Sequence, residues 1–468
     1  MRHRSAALAS RLWLAGALLI VGALLPLRAQ AGGMFLTDRG TRASGRGFAL
    51  VAGTDDADAL WYNPAGLAFA REQFFFDATL TLFDADYARV DSGGNSLPSE
   101  ELSHPPLPIP MIGYTSDFGV EDWSFGFAVL APNLVQYDWS DARDAPQRYS
   151  LISLAGSVIG RLAVGAAWQP IPELSLGLTG HLLVGNLRAR VALSACDGVV
   201  CSQPENPEWD GVAEVDSLVL SPTATLGAIY ATGPVKLGAS FSLPYSLGGP
   251  ATLRVRLPEA ALFDGASVDG DDADVTLDMP WIARLGVEVS PMDGLRAELA
   301  GVYEAWSVQD AMIVDPNSIW LRNVTAVGDY EVGPVNVPRN MKDVVSVRLG
   351  GEYDLTEHVT LRAGASYETS AFDDEYLSVL TLDSTKLITG LGVSVLVTEG
   401  VWIDASYVHV FLANRNVENS RVPQANPIRP PSPGEPTYIG NGSYKMEANM
   451  FGLGLRWMMA SAPDTTGT

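Results

Sequence analysis

Hydrophobic and polar residues alternate with period two through most of the chain after position 72. The clearest stretch places Val345, Val347, Leu349, Gly351, Tyr353 and Leu355 on one face and Ser346, Arg348, Gly350, Glu352 and Asp354 on the other. After Thr356-Glu357-His358 the pattern resumes, with Val359, Leu361, Ala363, Ala365 and Tyr367 opposite Thr360, Arg362, Gly364, Ser366 and Glu368. This predicts two antiparallel strands joined by a tight turn. The same period recurs in Trp123, Phe125, Phe127 and Val129, in Val235, Leu237, Ala239, Phe241 and Leu243, and in Ala283, Leu285, Val287 and Val289.

A soluble sandwich also alternates, so the connections carry the argument. Short links near 117–122, 170–173, 232–234, 291–294, 356–358 and 399–400 alternate strictly with long ones near 89–107, 132–149, 194–215, 250–274, 308–342, 372–384 and 413–443. Six short and seven long links divide the chain into fourteen strands. Short turns at one end, long loops at the other and an even strand number are the signature of a bacterial transmembrane β-barrel. In hydrocarbon every backbone polar group needs an internal partner, and a closed antiparallel barrel supplies one without an edge. The expected fold is all-β, a 14-stranded barrel over 73–457. Trp123, Trp168, Tyr230, Tyr303, Tyr353, Tyr367 and Tyr407 fall near strand ends, where interfacial aromatic girdles belong.

Two strands break phase. Around Gly185 the apolar set moves from Leu174, Leu176, Leu178 and Leu182 to Leu187, Ala189 and Val191; around Met450 it moves to Phe451, Leu453, Leu455 and Trp457. A bulge that re-aims side chains and a strand that has left the membrane both fit.

The first 31 residues carry arginines, an apolar run from Leu12 to Leu25 and Ala29-Gln30-Ala31, the pattern of a cleaved export signal. Without them 26 Lys+Arg face 54 Asp+Glu, a net charge of −28, which repels nucleic acid. With 47% apolar residues the chain has enough to bury to fold. Cys196 and Cys201, the only cysteines, sit in a Pro- and Asn-containing stretch of an exported chain, which predicts one small loop disulfide.

Residues 32–72 do not alternate; they are rich in Gly and small residues yet hold Phe48, Trp61 and Tyr62. Large rings are of little use to a disordered leader, so a plug inside the lumen is expected. Here the sequence resembles a known family. The stretch GGMFLTDRGTRASGRGFALVAGTDDADALWYNPAGLA (32–68), and above all Asn63-Pro64-Ala65, is similar to the N-terminal hatch of the FadL/TodX outer-membrane transporters for long-chain fatty acids and aromatic hydrocarbons. The resemblance implies a hatch over 32–72 that blocks the lumen, with ligand caught first among the outer loops and then inside the barrel. It further implies rearrangement of the hatch and sideways exit through a wall opening at a kink in the third strand, with no energy source. In the motif, Pro64 pushes Asn63 toward an extended backbone, and the Asn63 amide can pin the hatch to the wall.

Candidates for the kink are Gly126 and the break at Ala131-Pro132-Asn133. A carboxylate ligand needs a cation, and the inward series offers Arg161, Lys236, Arg284, Arg348 and Arg362; most inward arginines are expected to pair with acids such as Glu288, Glu352 and Glu368.

Gly40 to Gly47 lacks the Lys-Ser/Thr ending of a phosphate loop, and Asp269, Asp271, Asp272 and Asp274 lack the Gly and Glu placement of a calcium loop. No cofactor, metal or catalytic site is expected. A lipid-acting barrel enzyme would require a Ser-His pair built on His181 or His409, and a receptor or adhesin would use its long acidic loops alone. The expected partners are a hydrophobic small molecule, outer-membrane lipid and lipopolysaccharide, and the barrel assembly machinery, with the protein a monomer. Barrels of this class commonly end on an aromatic residue; here Trp457 is followed by Met458 to Thr468, a tail of eleven residues.

Overall fold

The computed structural model describes residues 38–102, 107–130, 137–196, 200–428 and 436–459. The signal segment 1–31, Pro132 and residues 460–468 of the tail lie outside the described residues.

Fourteen antiparallel strands form the wall: β1 (Gln73–Val90), β2 (Leu107–Ser116), β3 (Trp123–Leu130), β4 (Val158–Ile171), β5 (Leu174–Ser194), β6 (Asp210–Thr232) and β7 (Val235–Ser242), then β8 (Ile282–Met292), β9 (Leu295–Glu304), β10 (Val344–Thr356), β11 (Val359–Glu368), β12 (Lys386–Thr398), β13 (Val401–Leu412) and β14 (Gly442–Met458). Each pairs with the next, and β14 pairs back onto β1 from Met458–Gln73 to Gly442–Arg89, so the sheet closes. The links alternate short and long as the sequence pattern requires, and both β1 and β14 meet at the short-turn end.

The alternating faces fall as the pattern predicts. Val345, Val347 and Leu349 are exposed on the outside while Ser346, Arg348 and Glu352 are buried within. Trp123, Trp168, Tyr230, Tyr353, Tyr367 and Tyr407 also lie exposed on the outer face, and the Trp123 and Trp168 rings stack 6.2 Å apart.

Neither phase break is a bulge. The β5–β6 ladder runs from Leu174–Tyr230 to Ser194–Asp210 without a shift through Gly185, and β14 holds register with both β13 and β1 through Met450. What changes is the medium on each side. β4 ends at Val158 opposite Asn186, so beyond Asn186 strand β5 keeps β6 on one side and has loop residues on the other, with Ser153 bridging Arg190 and Ala192 N donating to Arg148 O. In β14, Tyr444, Met446, Ala448 and Met450 point into a packed apolar interior while Lys445 and Glu447 face out.

β5 and β6 have 21 and 23 residues, well beyond the roughly 9–11 that a spanning strand needs. β3 is described as far as Leu130. Among the described residues the β2–β3 ladder ends at Met111–Leu130, although β2 continues along β1 to Leu107. Pro108 and Pro110 in that continuation bring no N–H to either neighbour.

At the long-loop end, connections fold into the mouth. Tyr137, Trp139, Leu151, Trp306, Phe372 and Leu377 from three loops pack with Tyr87 of β1 and Tyr444 of β14. A second apolar cluster, including Leu193, Leu253, Phe263, Ile319, Leu321 and Ile428, gives the outer loops a core of their own. The Cys196 and Cys201 sulfurs are bonded within this layer, their Cα atoms 5.2 Å apart.

Residues 38–72 contain only short elements: α1 (Thr41–Gly45), α2 (Ala59–Tyr62) and a 3-10 turn at Pro64–Phe69. Nearly all of residues 38–67 are buried, and they touch inward-facing residues of the barrel strands. Room for this segment comes from inward glycines: a Cβ on Gly350 or Gly364 would lie 2.0 Å from the Arg46 carbonyl oxygen.

Candidate functional site

The Asn63-Pro64-Ala65 motif links the segment to itself and to the wall. Asn63 is extended at φ −159°, as a residue before proline must be, and its Oδ1 accepts from Ala65 N at 3.2 Å, capping the 3-10 turn. Its Nδ2 donates to Val51 O (2.9 Å) and to Ala228 O of β6 (3.2 Å). The Ser175 hydroxyl of β5 donates to Ala65 O at 2.7 Å, and Ser240 of β7 to Tyr62 O at 2.6 Å.

From β8 round to β1 the contacts become ionic. Glu298 of β9 accepts three successive N–H groups, Val51 (2.6 Å), Ala52 (2.9 Å) and Gly53 (2.9 Å), in a backbone nest around one carboxylate. Arg46 pairs with Glu288 at 2.8 Å and Glu298 at 3.3 Å. Arg42 bonds Asp55 and Asp56, and Arg296 joins Asp55 (2.5 Å) to Glu352 (2.8 Å). Asp77 of β1 accepts from the Thr41 amide and hydroxyl, both at 2.7 Å. Two acids of the segment respond oppositely. Burial pushes the Asp58 carboxyl well above its usual range, and Asp56 and Asp77 reinforce the shift. Burial acts the same way on Asp55, but Arg42 and Arg296 outweigh it and hold the group far below.

Against β3 and β4 the contact is apolar. Leu60 and Leu67 pack with Ala128, Ala163 and Ala167. Gly126 lies in an unbroken ladder opposite Gly165 of β4, and a Cβ there would meet Leu67 at 2.9 Å and Leu60 at 3.1 Å. The structure thus gives Gly126 a seating role, with no shift of register at that residue.

On the long-loop side of this seal lies a cavity of about 30 Å³ whose walls include Trp61, Arg161, Tyr245, Met279, Arg284 and Trp306. The five cations expected from the inward series separate here. Arg348 pairs with Asp38 at 2.7 Å, Arg362 with Glu352 at 2.9 Å, and Lys236 lies 4.5 Å over the Phe69 ring. Arg161 and Arg284 alone of the five line the cavity, and neither has a carboxylate within ion-pair distance among the described residues. Arg161 donates to the Tyr245 hydroxyl at 3.2 Å and Arg284 to the Ser242 hydroxyl at 3.2 Å, while the Nε of each has no partner among the described residues. The acids whose fields reach Arg284 are engaged: Asp38 by Arg348 and Glu304 by the Trp306 N–H. Arg161 stands opposite Leu130 on the β3–β4 ladder, the last rung among the described residues.

Sequence reasoning missed Trp61 as part of this cavity, and also Tyr245 and Trp306. The arginines could be listed from inward parity, but no local signal brings a residue of α2 to β4. The two histidines weighed as enzymatic bases are apart from each other: His181 faces Thr225 (3.3 Å) inside the barrel, and His409 faces Asn449 (2.9 Å).

The family described as "Outer membrane protein transport protein (OMPP1/FadL/TodX)" matches residues 22–459. The chain belongs to this family. It is therefore an outer-membrane β-barrel of a group that transports hydrophobic compounds. Comparison with curated proteins returns no match. Among solved structures, a FadL homologue from Pseudomonas aeruginosa is 16% identical with a TM-score of 0.72, over 92% of this chain and 100% of that one. The toluene transporter TodX from P. putida is 17% identical (TM-score 0.64; 91% and 100% covered), and the toluene transporter TbuX from Ralstonia pickettii 15% (0.61; 91% and 99%). At such identity these likenesses speak to fold alone.

Proposed function

We propose that the protein carries hydrophobic compounds with an anionic head, long-chain fatty acids first among them, passively inward across the outer membrane. Residues 32–72 act as a hatch that ligand binding unseats, and the ligand leaves sideways through the wall at the top of β3. The observation that carries the reading is the pair Arg161 and Arg284. These are buried cations on one cavity wall without acidic partners among the described residues, in a lumen where Arg46, Arg348 and Arg362 are each paired. A buried charge is costly unless paired, and a ligand carboxylate supplies the pair. The alkyl chain gains ~0.8 kcal/mol per buried CH₂ in the apolar layer between hatch and loops. At about 30 Å³ the cavity holds roughly one water, whereas ligand pockets run to about 300–1,000 Å³, so binding requires movement. The exit reading is supported by the apolar contact that Leu60 and Leu67 make with this part of the wall, and by Arg161 of β4 standing opposite Leu130 of β3.

A second reading, transport of aromatic hydrocarbons, is favoured by the Trp61 and Trp306 walls and by the toluene transporters among the structural neighbours. Uptake of radiolabelled palmitate and toluene by cells carrying Arg161→Gln with Arg284→Gln separates the two. The fatty-acid reading expects palmitate uptake to fall at least about tenfold, as loss of a charge-assisted bond implies, with toluene unaffected. Unchanged palmitate uptake removes it. Asn63→Ala in the same assay tests the hatch, which must depend on that side chain for normal uptake.

A further inference from the structure

Trp61 belongs to α2 of the leading segment, yet it forms part of the wall of the cavity that holds Arg161 and Arg284. Its ring lies 4.4 Å from the Arg161 guanidinium and 4.3 Å from that of Arg39, and its edge meets His181 at 6.3 Å between centroids. It is 6% exposed, and its Nε1–H has no acceptor among the described residues. The Nε atoms of Arg161 and Arg284 share that condition. Three elements distant in sequence, α2, β4 and β8, therefore deliver three unanswered donors to one cavity. Indole and guanidinium groups donate and cannot accept, so the group that satisfies all three must offer at least three acceptor sites. A carboxylate has about four and an alcohol oxygen about two.

We propose that Trp61 donates its indole N–H to the anionic head of the bound ligand, so that the hatch supplies one of the head-group contacts. This rests on the carboxylate reading above and adds how the hatch senses the ligand. While the head is held, Trp61 is held with it; when the hatch shifts, the head loses a donor and its grip on Arg161 and Arg284 loosens. By linkage the effect is reciprocal, since a head group that strengthens one position of the hatch is itself bound more tightly in that position. A neutral ligand of the same length has no such hold.

The test uses the full-length protein purified in detergent, titrated calorimetrically with dodecanoate and with dodecanol. Trp61→Phe keeps an aromatic ring beside Arg161 and removes the N–H. The expected result is about tenfold weaker dodecanoate binding with dodecanol unchanged, the loss of one hydrogen bond to a charged group. Thermal unfolding alongside confirms that the variant is folded. If Trp61→Phe binds dodecanoate like the parent while Arg161→Gln weakens it, the Trp61 role is overturned and the carboxylate reading stands. Equal weakening for acid and alcohol also overturns it, since lost packing then explains the result. If no variant changes the ratio of acid to alcohol, both readings fail. Should the Phe variant not fold, Trp61→Tyr restores a donor and must keep the preference for the acid; its loss there overturns the proposal.

Discussion

The leading segment, proposed above as a hatch, meets the barrel along two seams of different chemistry. From β8 round to β1 the seam is charged and hydrogen-bonded: the Glu298 nest, Arg46 between Glu288 and Glu298, and Thr41 on Asp77. Toward β3 and β4 it is made of Leu60 and Leu67 against alanines and glycines. Charged contacts are directional, and breaking one side of a buried pair strands the other, so the first seam resists movement. Apolar contacts slide and give way to another apolar surface at little cost, so the second can be replaced by a ligand chain. The soft seam lies against β3 and β4. A hatch held along one edge and loose along the other opens toward the loose edge, which is where the proposed exit lies.

The largest effect is expected from the charged seam. Glu298→Ala leaves three buried amides without an acceptor and half-strips Arg46. We expect a cost of about 3–5 kcal/mol, with the hatch unseated and large ionic currents in planar bilayers; parental conductance would show that the nest does not hold the hatch. Leu60→Ala, which empties a fully buried side chain, is expected to cost about 2–3 kcal/mol. It should raise permeation of apolar dyes without opening an ion path. Ion leakage equal to that of Glu298→Ala would erase the distinction between the seams.

Two glycines give a finer comparison. Gly364→Ala drives a methyl to 2.0 Å from the Arg46 carbonyl oxygen, a backbone atom that cannot swing aside, and is expected to cost about 1–3 kcal/mol in thermal unfolding. At Gly126 the nearest atoms are leucine side-chain ends at 2.9 and 3.1 Å, so Gly126→Ala should cost less than about 1 kcal/mol. The reverse order would mean that the soft seam is the rigid one.

The smallest effect concerns pH. Asp58 titrates higher in the folded state than in the unfolded chain, so the folded state binds the extra proton, and stability falls as pH rises above the unfolded value of about 3.9 toward the raised one. Asp58 faces Asp56, Asp77 and Arg42, with Asp404 beyond them. Asp58→Asn should flatten the decline in hatch stability as pH rises above the unfolded carboxylate value, read as resistance to proteolysis; an unchanged slope would locate the titration elsewhere. Asp55, held low by Arg42 and Arg296, contributes the opposite slope, and its stabilisation is lost only in acid below the unfolded value.

Period-two alternation and the order of short and long links were enough to read fourteen strands, their faces and the closure, because strand parity and turn length are local properties. Asn63-Pro64-Ala65 was legible as a fixed element for the same reason, since proline constrains its neighbour wherever it occurs. The two phase breaks were visible in sequence but not their cause: parity never changed, and only the surroundings did, with apolar interior replacing lipid as the partner of Met446 and Met450.

What only the tertiary structure decided is which of five inward cations lack acids and which residue of the hatch joins them. Parity gives a side chain its face, while ion pairing depends on height in the barrel and on the path of a segment that lies more than two hundred residues from most of its partners. Glu298 and Arg46 are 252 apart in sequence, and Trp61 and Arg161 meet only because the hatch folds back into the lumen. Local rules thus set the cylinder, and long-range packing set the chemistry inside it.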